Sequence, residues 1–143
     1  MAVRALLADA AQARSDVLGA TGGLSSCTLD AGSADQALGQ AIIERQQLMQ
    51  RLSTTSFAGL PHGLGLRTLL HRAWSQSLQA DEAFLQWTRD FESPARCGAK
   101  DPYFAKGTRL SLSASKSKAS FAKAWNSYVA KALHVAPVTA QQL

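Results

Sequence analysis

Apolar residues recur every three or four positions in four separate stretches of this chain, the spacing that lines one face of an α-helix. The first stripe, Val3, Leu6, Leu7, Ala10, Val17 and Leu18, predicts a helix over about 3–19 that Gly19, Gly22 and Gly23 bring to an end. A second stripe runs from Ala34 through Leu38, Ala41, Ile42 and Leu48 to Leu52 and predicts a helix over about 34–56, with Ser33 or Asp30 as N-cap. The third, Leu66, Leu69, Leu70, Ala73, Trp74, Leu78, Phe84, Leu85, Trp87 and Phe91, predicts about 66–92, stopping before Pro94, whose ring cannot continue a helix. A fourth, with Leu110, Ala114, Phe121, Trp125, Val129 and Leu133, predicts about 109–133. Between the last two, Pro102, Tyr103 and Phe104 read as looser chain covering the end of a helical hairpin, and the tail beyond Pro137 reads as polar enough to fray.

Composition agrees with helices and against strands, since 26 Ala and 19 Leu stand beside five Val and two Ile. The 143 residues are 46% hydrophobic and 17% charged, which excludes a disordered tail, and no apolar run approaches the roughly 18 residues that span a bilayer. Nothing repeats internally and no Pro-, Gly- or Ser-rich linker divides the chain, so residues 1–143 are expected to form one helical domain. Helices joined by short loops lie antiparallel. The expected fold is therefore all-α, a four-helix bundle built on a long antiparallel hairpin of the second and third helices, with the first and fourth covering its apolar face.

Cys27 and Cys97 are the only cysteines, and each sits among small or turn-forming residues at opposite ends of that hairpin. Folding back at Pro61-His62-Gly63 brings them together, which predicts a disulfide and an oxidising compartment. The alternative is a pair of reduced thiols in a cytosolic protein. A metal site is not expected, because no CxxC or paired His spacing accompanies the cysteines, and His62, His71 and His134 read as surface or capping residues. The opening MAVRALLADAAQAR carries Arg4 and Asp9 and no continuous apolar core, so it does not read as a cleavable leader. An exported domain with this opening is expected to be a fragment of a longer, membrane-anchored chain.

Two charges interrupt the apolar stripes. Arg45 falls in line with Leu38, Ala41, Ile42, Leu48 and Leu52, and Asp81 with Trp74, Leu78 and Leu85. With the turn near residue 62, Arg45 opposes roughly position 79, within one helical turn of Asp81, so the two are expected to form a structural ion pair. Asp81 and Glu82 are neighbours about 100° apart on a helix and cannot serve as a facing catalytic carboxylate pair. No GxSxG elbow or HExxH motif is present, and no catalytic residue, cofactor or metal ligand is expected.

The net charge of +5 is concentrated late, residues 101–143 carrying six basic and one acidic residue. Lys116 and Lys123 share a helix face with Ser113, Ser120 and Ser127, opposite Phe121 and Trp125, which reads as a mildly basic solvated side too sparse for nucleic-acid binding. The tryptophans Trp74, Trp87 and Trp125 read as mostly core. Trp87, with Leu60 and Leu64 of the hairpin turn, is the candidate partner surface.

The string of features from Cys27 onward, AxxxLxxAIxERxxLxxxL, Leu60-Pro61, LLxRAWxxSLxADxAFLxW, Cys97 and a Lys/Ser/Ala helix ending FxxAWNxY, resembles the small extracytoplasmic helical domains of actinobacterial membrane proteins, including some receptor-type serine/threonine kinases. The resemblance spans about residues 27–140 and leaves the first 20 as a juxtamembrane or covering helix. It implies export, the Cys27–Cys97 bridge, a bundle, and a non-catalytic role in sensing an envelope component or binding a partner protein. Two other classes stay open: a small secreted helical enzyme of the chorismate-mutase type, which needs several inward cations around a dicarboxylate where only Arg45 is evident, and a cytosolic helical adaptor.

Overall fold

The structure is a computed structural model and describes residues 2–90 and 101–143. Four long helices account for most of it: α1 (Ala2–Ser25), α2 (Ala31–Thr54), α3 (Gly63–Arg89) and α4 (Pro102–Trp125). A π-helical turn, Asn126–Ala130, and a short helical turn, Lys131–Leu133, extend α4, and a 3-10 turn, Ala140–Gln142, closes the chain. The described residues contain no strand. None of these helices is long and apolar enough to cross a membrane.

Three of the predicted boundaries move for identifiable reasons. The glycines of α1 do not end it; the helix continues to Ser25 because Ala20 and Leu24 are buried, and packing outweighs the cost of about 1 kcal/mol for each helical glycine. The left-handed residue that terminates α1 is Cys27, at φ 63°, with Thr28 and Leu29 both donating to the Gly23 carbonyl. At the other end of the chain Pro102-Tyr103-Phe104 is no covering loop but the first turn of α4. Asp101 caps it by accepting from the Phe104 amide, and Pro102 takes an early position where its missing N–H costs nothing. The tail does not fray. Asn126 both donates to the Val138 carbonyl and accepts from its amide, and Leu143 is buried.

Cross-helix pairs give the arrangement. Arg51 meets Asp9, Arg89 meets Asp35, and Ser117 meets Gln76, so α1–α2, α2–α3 and α3–α4 are each antiparallel. The α3–α4 contact is the most extensive, and Gly107 makes it possible: a Cβ there would lie 2.7 Å from the Phe84 ring. By contrast the backbones of α1 and α4 stay apart, their side chains meeting in the first apolar cluster, and the Ala140–Gln142 turn contacts both helices.

The apolar core is divided. One cluster gathers Leu6, Leu52, Leu70, Trp74, Phe121 and Trp125 at the end of the fold where the chain terminates. A second gathers Val17, Leu24, Leu38, Phe84 and Trp87 at the end where α1 runs into α2. Between them lies a layer of polar side chains.

Candidate functional site

That layer is built from all four helices, and its position follows from the helical period. Arg45 stands one turn before Leu48 on the inward stripe of α2, Ser77 and Asp81 stand one turn apart on α3, and Lys118 stands between Ala114 and Phe121 on α4. All four side chains are buried, Arg45 to 2% exposure. Arg14 of α1, half-buried, reaches the same place from the open side.

Arg45 Nε donates to Asp81 Oδ2 at 2.6 Å, a charge-assisted hydrogen bond between fully desolvated partners. The structure thus brings together the two interrupting charges and sets the α2–α3 register. Arg45 Nη1 is buried and has no hydrogen-bond partner among the described residues. Leaving a guanidinium N–H without an acceptor in a low-dielectric site costs of the order of 1–3 kcal/mol, more for a charged group. Arg14 Nη1 donates to the Ala140 carbonyl at 3.1 Å, tying α1 to the closing turn.

The electrostatics are unbalanced. Burial pushes the Asp81 carboxyl up from its ordinary value, while the charge and hydrogen bond of Arg45, and then the charge of Lys118, act in the opposite direction. Burial pushes the Lys118 ammonium down to about 7, the nearby charges of Arg45 and Arg14 add to the effect, and Asp81 opposes it. Three cations therefore share one carboxylate, and one of them exchanges its proton near neutral pH.

These side chains line a cavity of about 60 Å³. Its inner wall carries Arg45, Asp81 and Lys118, and Val17, Ala80, Phe84 and Ala114 give it an apolar side. It reaches the surface along the α1–α4 seam, where Leu18, Ser111 and Ser115 are exposed. The described residues contain no group of three His, Cys, Asp or Glu side chains that could hold a metal ion.

Comparison with protein-family models, curated proteins and solved structures finds no match to this chain.

The remaining candidates fall elsewhere. Trp87 is fully buried in the second apolar cluster, its ring edge-on to Phe104 at 4.7 Å, and is no part of a partner surface. The correction follows from the earlier start of α4, which lays Phe104 over it. Leu64 is 80% exposed and Leu60 half-buried, both at the hairpin turn. His62, His71 and His134 are exposed, and the His62 ring lies tilted against Tyr128 with centroids 3.9 Å apart. Cys27 follows α1, and Cys97 lies outside the described residues, as do Phe91 and Pro94.

Lys118 and Arg14 also line the cavity, and neither stands out in the sequence. The signal for Lys118 was present: it completes the row Ala114, Lys118, Phe121, Trp125. Its neighbours Lys116 and Lys123 are exposed, as the amphipathic pattern predicts, and Lys118 is readily grouped with them.

Proposed function

We propose that this chain is a non-catalytic sensing domain of a membrane-anchored protein, working outside the cytoplasm, and that its input is a small anion admitted between α1 and α4. The observation that carries this reading is Arg45 Nη1, a buried cationic donor with no acceptor among the described residues, on a side chain that lines a surface-connected cavity beside a second buried cation. A bound anion would satisfy that donor and return Lys118 to its charged form. The resemblance to extracytoplasmic actinobacterial domains supports the placement outside the cytoplasm. A Cys27–Cys97 bridge belongs to the same proposal. It is supported by the Asp35–Arg89 and Arg45–Asp81 pairs, whose antiparallel register carries the hairpin toward the end where the cysteines fall in sequence. Protein binding, if it accompanies sensing, falls to Leu64 and Leu60 and not to Trp87.

One observation favours an enzyme of the chorismate-mutase type: three cations line the cavity, where the sequence pointed to Arg45 alone. Two observations weigh against it. The cavity of about 60 Å³ is a fraction of the roughly 300 Å³ at which small-molecule pockets begin, and Asp81 stands inside it to repel a second carboxylate.

The test is the side-chain ¹⁵N resonance of Arg45 Nε, followed while sodium acetate, phosphate and nitrate are added at constant ionic strength. The reading expects a saturable shift of Arg45 with at least one of these anions. An Arg45 signal that follows the non-specific drift of exposed Arg72 with all three would sink it.

A further inference from the structure

The anion's class can be drawn from three properties of the cavity: its size, its charge and its apolar wall. This step rests on the preceding reading that the cavity takes an anion. At roughly 10–15 Å³ for each water-sized position, about 60 Å³ accommodates a ligand of about four to six non-hydrogen atoms. The buried charge available is one. Asp81 already compensates Arg45 through the Nε hydrogen bond, and Arg14, held at the half-buried rim by the Ala140 carbonyl, keeps its charge where water screens it, which leaves the Lys118 ammonium as the uncompensated buried cation. A dianion would meet the Asp81 carboxylate at close range with one buried positive charge too few. Among the lining residues, Val17, Ala80 and Phe84 are buried and offer no hydrogen bond from their side chains, so an oxyanion that is polar all round would leave an oxygen unsatisfied against them.

We propose that the cavity between α1 and α4 binds a short monocarboxylate of acetate to pyruvate size. Its carboxylate bridges Arg45 Nη1 and Lys118 Nζ, and its hydrocarbon end lies against Val17, Ala80 and Phe84. Asp81 is a positioning residue: it holds the guanidinium by Nε and leaves Nη1 for the ligand. Binding is linked to protonation. The groups that face Lys118 are Arg14 from α1, Arg45 from α2 and Asp81 from α3, and the first two favour its neutral form. An incoming carboxylate reverses that bias, so above neutral pH the ligand enters together with a proton and its affinity falls by up to about tenfold per pH unit.

The experiment is isothermal titration of the full chain with acetate, propionate, pyruvate, inorganic phosphate and chloride at constant ionic strength. It is run from pH 6 to 9, in two buffers of different ionisation enthalpy, with the Lys118→Met and Ala114→Leu variants alongside. Leu at position 114 fills the cavity without touching its charges, so the proposal does not depend on how one variant folds. The expected result is that a monocarboxylate binds at least tenfold more tightly than phosphate or chloride, that both variants lose at least tenfold, and that up to one proton is taken up per ligand at pH 8. Phosphate binding as tightly as the monocarboxylates, and lost in both variants, would overturn the carboxylate assignment and leave the anion-sensing reading intact. Carboxylate binding unchanged in both variants places the ligand at another site and overturns the proposal. Absence of binding by every anion overturns this proposal and the sensing reading together.

Discussion

Replacing Lys118 with Met should make the protein more stable at neutral pH, an unusual outcome for a substitution in a buried layer. The ammonium is lowered from 10.5 to about 7, and each unit corresponds to about 1.4 kcal/mol, so carrying Lys118 into the fold costs at most roughly 4 kcal/mol at pH 7. The sign follows from proton binding. Between about pH 7 and 10.5 the unfolded chain keeps the Lys118 proton while the folded chain releases it, so wild-type stability rises with pH across that window. Below the folded value the penalty is constant. Met fills similar volume and does not titrate, and the attraction of Lys118 for Asp81 that it gives up is already contained in the lowered value, so the gain is a few kcal/mol. Urea unfolding followed by tryptophan fluorescence suits the measurement, because Trp74, Trp87 and Trp125 are all fully buried. The variant should lead at pH 6–7, and above pH 7 its lead should shrink by about 1.4 kcal/mol per pH unit until it is lost by about pH 10. Parallel stability curves for the two proteins from pH 6 to 10 would refute the assignment of a desolvated, titrating Lys118.

Asp81→Leu leaves Arg45 and Lys118 buried without their carboxylate and should cost roughly 3–5 kcal/mol in urea, whereas Arg45→Met together with Asp81→Leu should recover most of that loss; a double variant no more stable than the single one would show that the pair is not coupled. Gly107→Ala should destabilise by about 1–3 kcal/mol, against the usual helix preference for Ala, because the new Cβ meets the Phe84 ring. Gly39→Ala, with open space around its Cβ, should instead gain about 0.5–1 kcal/mol, and equal effects at the two positions would contradict the close α3–α4 approach. Asn126→Ala removes both hydrogen bonds to Val138 and should speed amide exchange at Val138 and Leu143 without altering exchange in α2. Intact mass after alkylation without reductant should show no modified thiol, while two modified cysteines in protein made in an oxidising compartment would remove the proposed Cys27–Cys97 bridge.

Helix content and pairing were legible because both are written as periodicity. The stripes through Leu38 and Trp74 have a single inward face, and a short turn at Pro61 leaves an antiparallel hairpin as the arrangement that buries both. Arg45 and Asp81 could be matched for the same reason: a charge at an inward position needs a partner, and the turn position says where to look. The start of α4 was less legible because Asp101-Pro102 is both a turn signature and a helix-start signature, and only the capping contact with Phe104 separates the two. That ambiguity propagated to Trp87, whose exposure depends on whether Phe104 packs over it. The charged layer was half legible. Its α2 and α3 members interrupt runs of large apolar residues, but Lys118 interrupts a run of Ala and Ser among other lysines, where its outward and inward neighbours look alike. The termini were least legible, since the burial of Leu143 depends on Asn126 and on the gap between α1 and α4 that the last turn covers.

Lys118 is also what separates a structural ion pair from a binding site. Setting the register of α2 against α3 requires one buried cation and one buried anion, and Arg45 with Asp81 supplies both. A second cation from α4 adds nothing to that register. It weakens the balance of the pair and is itself desolvated, while the neighbouring Arg45 Nη1 has no acceptor among the described residues. Apolar side chains across the layer would join the two clusters into one continuous core, and replacing buried ionic groups with well-packed apolar ones is commonly neutral or stabilising by 1–4 kcal/mol. The α1–α4 seam points the same way. A four-helix fold closes its core most simply by packing its first helix against its last, yet here a short turn held by Arg14 spans the gap and the cavity opens beside it. An excess of buried positive charge and a cavity opening at the α1–α4 seam have no common structural purpose. Both are accounted for by the proposed anion, which would complete the layer on entering.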